Sequence, residues 1–266
     1  MNATGDRARA TSAWLVVTQR EVRELWLGGR GLPIMVAYAS VLSVSSYLAA
    51  SNRALNFLER REAVNVTLQV AVAVGALLAL AAAADAISGE RDRGTLESLL
   101  LTPAPRSALV LGKALAAFSV WLAAYVVSVP YLWYLGRGTQ VTLPALIGGG
   151  AVGLLLGLFV VGFGLLASAS ASSSRVSLAT SFFVLLAVYA PTQMATGARQ
   201  SWIGNVLTRL DPFTAALHYL SGLVVNGNRA GDDAAWLLSP ALLGALAFGA
   251  ALATSRRLTL HPGGGS

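Results

Sequence analysis

Six stretches of this chain run on without a single Asp, Glu, Lys or Arg: residues 31–52, 63–84, 114–136, 138–174, 176–198 and 234–255. A helix of about 20 apolar residues crosses a hydrocarbon core of about 30 Å, and every run reaches that length. None shows the apolar–polar alternation in ten-residue pieces that a membrane barrel strand requires. The pattern therefore predicts an all-α membrane protein with six transmembrane helices, at about 32–51, 64–86, 108–135, 143–170, 176–197 and 235–255. The fourth run is trimmed because its ends, GTQVTLP and SASASSS, are polar or glycine-containing. Small residues dominate the runs and allow helices to approach closely in lipid. GGGAVGLLLGLFVVGFG (148–164), with the Gly153/Gly157 pair, is the richest case.

Two further stretches are amphipathic and too short or too polar to cross. Residues 11–29, TSAWLVVTQREVRELWLGG, place Trp14, Val17, Val22, Leu25 and Trp26 on one side and Gln19, Arg20, Arg23 and Glu24 opposite. This predicts an interfacial helix within 1–30, with Trp at headgroup depth. Gly28, Gly29, Gly31 and Pro33 then turn the chain into the first span. Between the fifth and sixth spans, RLDPF (209–213) interrupts segment 199–233, and TAALHYLSGLVV (214–225) is too short to span. One or two short outer helices are expected there. The membrane domain is thus 31–262, and GGGS (263–266) has the composition of an appended linker.

Composition supports the membrane reading. The 266 residues are 55% hydrophobic and 12% charged, against about 25% charged in a soluble domain. The net charge is +7, and its distribution gives orientation. With the N-terminus inside, the cytoplasmic segments hold Arg7, Arg9, Arg20, Arg23, Arg30, Arg91, Arg93, Arg106, Lys113, Arg175, Arg256 and Arg257, which is 12. The outer segments hold Arg53, Arg60, Arg61, Arg137, Arg199, Arg209 and Arg229, which is 7. The positive-inside bias therefore favours N-in, C-in in a plasma membrane facing anionic lipid. Without Cys, and with His218 and His261 as the two histidines, thiolate metal sites, disulfides and haem are not expected. No basic cluster interleaved with aromatics points to nucleic acid. Residues 1–30 lack the uninterrupted apolar core of a secretory signal.

One cytoplasmic loop, SGERDRGTLESLLLTPAPRSALVLGK (88–113), concentrates charge between the second and third spans. Gly94 permits a tight turn, Thr95 suits an N-cap, and Glu97 favours a helix N-terminus. LESLLL then gives a short helix that Thr102, Pro103 and Pro105 end. Leu96, Leu99 and Leu100 are the leucines it offers, and apolar residues rimmed by charge mark a docking surface. Asp85 and Lys113, near the inner ends of adjoining spans, form a candidate structural pair. Within the spans the polar exceptions include Gln69 and Gln193, read either as interhelical hydrogen bonds or as contacts in a substrate path.

The run DAISGERDRGTLESLLLTPAPRSALVLGK (85–113) resembles the membrane subunits of ABC-2 type (type V) ABC exporters. It matches their acidic residue, E-R-x-x-G-T-L-E, L-x-T-P, and a later Arg and Gly-Lys. The six-span layout agrees over nearly the whole chain, and REVREL (20–25) is similar to the family's charged N-terminal helix. The resemblance implies an exporter permease, present twice, driven by two separate ATP-binding subunits that hold ATP and Mg²⁺. It implies that residues 96–101 are the coupling helix. Glu90, Arg91, Gly94, Thr95, Leu96, Glu97, Thr102, Pro103 and Lys113 carry over on this basis.

Other classes fit less well. A P-loop needs G-x-x-x-x-G-K-[ST], but Ser107 and Ala114 flank the sole Gly-Lys, Gly112-Lys113. A Ser nucleophile needs a nearby His, whereas His218 falls on the outer segment and SASASSS at the opposite end of a span. A secondary, ion-coupled transporter, the alternative function, would typically place ionisable groups at mid-bilayer, where these spans have none. An uncharged interior suits a hydrophobic or amphiphilic cargo. YLWYL (131–135) reads as an interfacial aromatic belt.

Overall fold

The computed structural model describes residues 3–29, 31–51, 57–102, 105–193 and 201–254, with backbone alone at 3–13, 57–59, 99–100, 191 and 193. Every regular element among them is helical: α1 (Ala3–Leu27), α2 (Gly31–Ala50), α3 (Phe57–Asp85), α4 (Ser88–Asp92), α5 (Leu96–Leu100), α6 (Arg106–Leu135), α7 (Thr142–Ser170), α8 (Ser174–Tyr189), α9 (Trp202–Leu210), α10 (Pro212–Ser221) and α11 (Leu238–Thr254). Single turns follow α8 (Ala190–Gln193) and α10 (Gly222–Asn226) and precede α11 (Ala234–Leu237).

Five of these helices are long and apolar enough to cross a membrane: α2, α3, α6, α7 and α11, the last with its preceding turn. The stretch predicted as the fifth span is α8, of 16 residues. At 1.5 Å per residue it covers only about 24 Å. Its continuation beyond Gln193 lies outside the described residues.

Helix α7 is the centre of the bundle and packs on α3, α6, α8 and α11. Leu68, Val72 and Leu80 of α3, Trp121 of α6, and Leu156, Val160 and Leu165 of α7 form one apolar core. Burying such side chains against one another is compatible with lipid outside because packing, not water exclusion, holds membrane helices together. The α7 glycines set the distances. Gly153 faces the Trp121 ring and Gly157 the Phe118 ring, while Gly164 lies against the backbone of Leu80 and Ala84. The Gly153/Gly157 pair therefore accommodates aromatics of α6 within the chain. Helices α2 and α11 sit at the edges, with 22% and 17% of their apolar windows buried.

Helix α1 lies along α6. Gly112 makes this possible: a Cβ there would come within 2.5 Å of Val17. Trp26 turns inward, donating its indole N–H to Ser119 Oγ at 3.1 Å and covering Gly31. Its side chain thus ties α1 to α6 and to the start of α2.

Two short helices, α9 and α10, lie between the last two apolar runs, where one or two were expected. Asp211 caps α10, accepting from the backbone N–H of Phe213 at 3.1 Å and of Thr214 at 2.7 Å, and from the Thr214 hydroxyl. Pro212 follows at the first helical position, where its missing N–H costs nothing. Asp211 lies outside the spanning helices, and its burial pushes the carboxyl pKa up, against the pull of the capping bonds. A raised folded-state pKa in an acid means that ionisation costs stability as pH rises from the ordinary carboxylate range through the raised value. Asp211→Asn is expected to keep an acceptor at the cap and remove that pH dependence. Asp211→Ala should lose about 1 kcal/mol with the cap. Thermal unfolding as a function of pH checks both; an unchanged pH profile in Asp211→Asn would contradict the assignment.

Candidate functional site

The loop between α3 and α6 starts where α3 runs out of apolar residues at Asp85. Two short helices follow, with the chain reversing between them at Gly94, whose φ of +69° is a conformation that L side chains rarely adopt. The Glu90 carbonyl closes this turn by accepting from Thr95 N–H at 3.0 Å and from the Thr95 hydroxyl at 3.3 Å. The recorded bond of Thr95 thus runs back to the turn. Its expected role as an N-cap acceptor for α5 has no counterpart in this geometry.

Helix α4 is stapled to the corner between α7 and α8. Ser168 Oγ, fully buried, accepts from the backbone N–H of Ile87 and of Ser88, both at 2.9 Å. These are amides that a helix start leaves without an internal partner. The Ser168 hydroxyl then donates to Ser88 Oγ at 3.1 Å. Asp92 accepts from Ser174 N–H at 2.8 Å, and Asp85 accepts from the Ser174 hydroxyl. The Arg91 guanidinium donates to the carbonyls of Ala171 and Ala169, the latter at 3.3 Å. Those carbonyls end α7, where a cation also meets the negative end of the helix dipole.

A second tie runs to α1 and α6. Lys113 is 3% exposed, a position where an unpaired ammonium would be prohibitive. Its Nζ lies 2.6 Å from Glu90 Oε1 and 3.1 Å from Glu21 Oε1. Three segments far apart in sequence therefore meet on one amine. These salt bridges revise the pairing expected of Lys113, whose proposed partner was Asp85. Glu90 Oε2 is buried with no hydrogen-bond partner. A cavity of about 280 Å³ opens beside the triad, between α1, α3, α4 and α6.

The residues singled out for docking consequently divide into two groups. Glu90 and Arg91 point into the molecule and hold the loop, a correction to their reading as charges at a docking rim. Leu96 is half-buried and packs on the main core, so it anchors α5. Glu97, Ser98 and Thr102 are exposed, and Leu101 is 76% exposed. The side chains of Leu99 and Leu100, and the whole of Pro103, lie outside the described residues. Of the two glutamines, Gln69 donates to Ser221 Oγ at 3.1 Å, next to a bond from Asn65 to the same oxygen at 3.2 Å. This joins α3 to α10 and matches the interhelical hydrogen-bond reading. The Gln193 side chain is outside the described residues.

Ser168, Ser174 and Glu21 were not singled out from sequence. The available signals were the hydroxyl density of SASASSS at the end of an apolar helix and the acid within REVREL. Neither says which loop it faces. Among the described residues no cluster of His, Cys, Asp and Glu has the make-up of a metal site.

A family model described as ABC-2 family transporter protein matches residues 21–256. A search of curated proteins finds no match. The matched region takes in α2–α11, the whole loop between α3 and α6, and the part of α1 that carries Glu21. The chain belongs to the ABC-2 transporter family: it is a multi-pass protein of the cell membrane and the permease component of an ABC transporter, not itself catalytic.

Proposed function

We propose that this permease is the membrane half of an ATP-driven exporter, working as a pair of permease copies with two ATP-binding subunits. Six spans with both termini inside put the α4–α5 loop on the cytoplasmic side, where ATP and Mg²⁺ act in the partner subunits. Helix α5 is the coupling helix, meeting the ATPase through Glu97, Leu99, Leu100, Leu101 and Thr102. Glu90, Arg91, Gly94 and Leu96 set its position from within.

The observation that carries this reading is the way the loop is held. A solvated connection would need no internal ties, yet this one is bonded at once to α1, α6 and the α7–α8 corner. Displacement of α5 by a closing ATPase would therefore move α1, α7 and α8 together with α3 and α6, the two helices that the loop connects. The uncharged span interiors suit an amphiphilic or hydrophobic cargo.

Leu99→Asp and Leu100→Asp are expected to abolish co-purification with the ATP-binding subunit, or stimulation of its ATP hydrolysis, while membrane insertion persists. Normal assembly and coupled transport in both variants would refute docking through this helix.

A further inference from the structure

Six charged side chains line the cavity beside Lys113: Glu21, Glu24, Asp85, Glu90, Arg93 and Lys113. Four of them are engaged. Lys113 holds Glu21 and Glu90, and Asp85 accepts from the Ser174 hydroxyl. The other two, Glu24 and Arg93, carry opposite charges and are both exposed. Among the described residues neither side chain makes a hydrogen bond or an ion pair. They belong to different walls, Glu24 to α1 and Arg93 to the end of α4. Arg93 also differs from its neighbours. Arg91 and Asp92 are fastened to the ends of α7 and α8. Arg93 is the last residue before Gly94, where the chain turns into α5 with a φ of +69°.

We infer that Arg93 and Glu24 form a strap that closes this cavity and ties α1 to the hinge of α5, and that the structure shows the strap open. The arginine side chain is long, and its planar fork takes a carboxylate through two parallel N–H bonds. The cavity of about 280 Å³ has an apolar floor of Ala82, Ala86, Ala116 and Ala117, so both side chains have room to extend into it. Such a pair is cheap to break because each partner keeps its contact with solvent. Exposed ion pairs shift an equilibrium only about two- to fivefold. That suits a strap that opens and closes. The Lys113 triad behind it is buried and holds throughout, since separating buried charges is costly. Closed, the strap fastens the residue before Gly94 to the N-terminal helix and restrains α5. Open, it leaves α5 free to turn about Gly94. The regulatory meaning rests on α5 as the coupling helix, whereas the strap itself lies wholly within this chain.

The test is amide hydrogen exchange across residues 94–101 in the full-length permease, purified in detergent without an ATP-binding subunit. Glu24→Gln and Arg93→Gln are each expected to speed exchange there about two- to fivefold, with the unfolding temperature unchanged. The double variant should exchange no faster than either single one. Glu24→Arg combined with Arg93→Glu should restore the original rate, because the swapped pair can close again. Salt at about 1 M, where screening acts beyond about 3 Å, should loosen the unaltered protein and leave the double variant unmoved. Unaltered exchange in both single variants, multiplied effects in the double one, or a swapped variant as loose as the singles would overturn the inference. So would an unaltered protein that does not respond to salt. All of this is read in the permease alone. Failure of the proposed function would instead appear in co-purification of the Leu99→Asp and Leu100→Asp variants with the ATP-binding subunit, so the two failures are distinct.

Discussion

Lys113→Met is expected to be the most damaging single substitution around the loop between α3 and α6 of this permease. Methionine fills much of the same volume but leaves Glu21 and Glu90 facing each other without their shared cation. Breaking a buried ion pair by removing one partner costs about 3–5 kcal/mol, because the remaining charge is buried and uncompensated. Two carboxylates are stranded here, so the upper part of that range is expected. The damage should appear as a lower unfolding temperature and as protease cleavage between α1 and α2, since Glu21 is the ion-pair link from α1 to this site. Adding Glu90→Gln to Lys113→Met should recover part of the loss, because it removes one stranded charge. A double-mutant cycle measures this directly. Full stability in Lys113→Met, or strict additivity with Glu90→Gln, would show that the triad does not hold the loop.

A second large effect is expected at Gly162. A Cβ there would lie 2.6 Å from the backbone nitrogen of Phe248 and 2.8 Å from the carbonyl carbon of Ala247. Backbone cannot rotate away as a side chain can, so Gly162→Ala must push α7 and α11 apart. Overpacking of this kind typically costs about 1–3 kcal/mol. Helix α11 is vulnerable because only Pro240, Gly244 and Ala251 of it are buried. Its packing is chiefly on α7, and Gly244 meets the backbone of Leu155 and Phe159 in the same interface. Gly249→Ala provides the control: nothing lies within 4 Å of its Cβ position, and alanine favours helix over glycine by about 1 kcal/mol. Detergent thermal unfolding should therefore separate the two substitutions by sign. Equal tolerance of both would mean that α11 is held from elsewhere.

The helices were legible from sequence because membrane crossing is a local property. The chain must supply about 20 apolar residues in a row and satisfy every backbone group within the helix. The one discrepancy follows the same logic. Residues 176–198 are uncharged throughout, but Pro191 lies inside the run, and the α-helix gives way to a tighter turn at Ala190. Proline removes a backbone donor and crowds the preceding turn. The turn at Gly94 and the break in helix before α6 were legible for equally local reasons. The donor role of Thr95 was not legible, because the carbonyl of Glu90 that accepts from its hydroxyl is brought into reach only by the turn.

The assignment of charges was not legible. From sequence, Glu90, Arg91 and Asp92 are consecutive ions on one cytoplasmic loop. In the structure each goes to a different place: Glu90 to Lys113, Arg91 to the end of α7, and Asp92 to the start of α8. Successive residues on a helix point about 100° apart, so neighbours in sequence face different helices. The partners stand 92 positions apart for Glu21 and Lys113 and 80 for Arg91 and Ala171. No local pattern encodes such distances.

By itself, then, the sequence determined the apolar helices, the position of the charged loop between two of them, and the family motif within it. Lipid and backbone stereochemistry act on contiguous residues. Only the tertiary structure decided that Glu90, Arg91 and Leu96 face inward, that SASASSS is the surface on which the loop is fastened, and that Lys113 is shared by two carboxylates. Those outcomes depend on how α1, α6 and α7 are rotated against one another. That rotation is set by where Gly112, Gly153 and Gly164 let the helices come close.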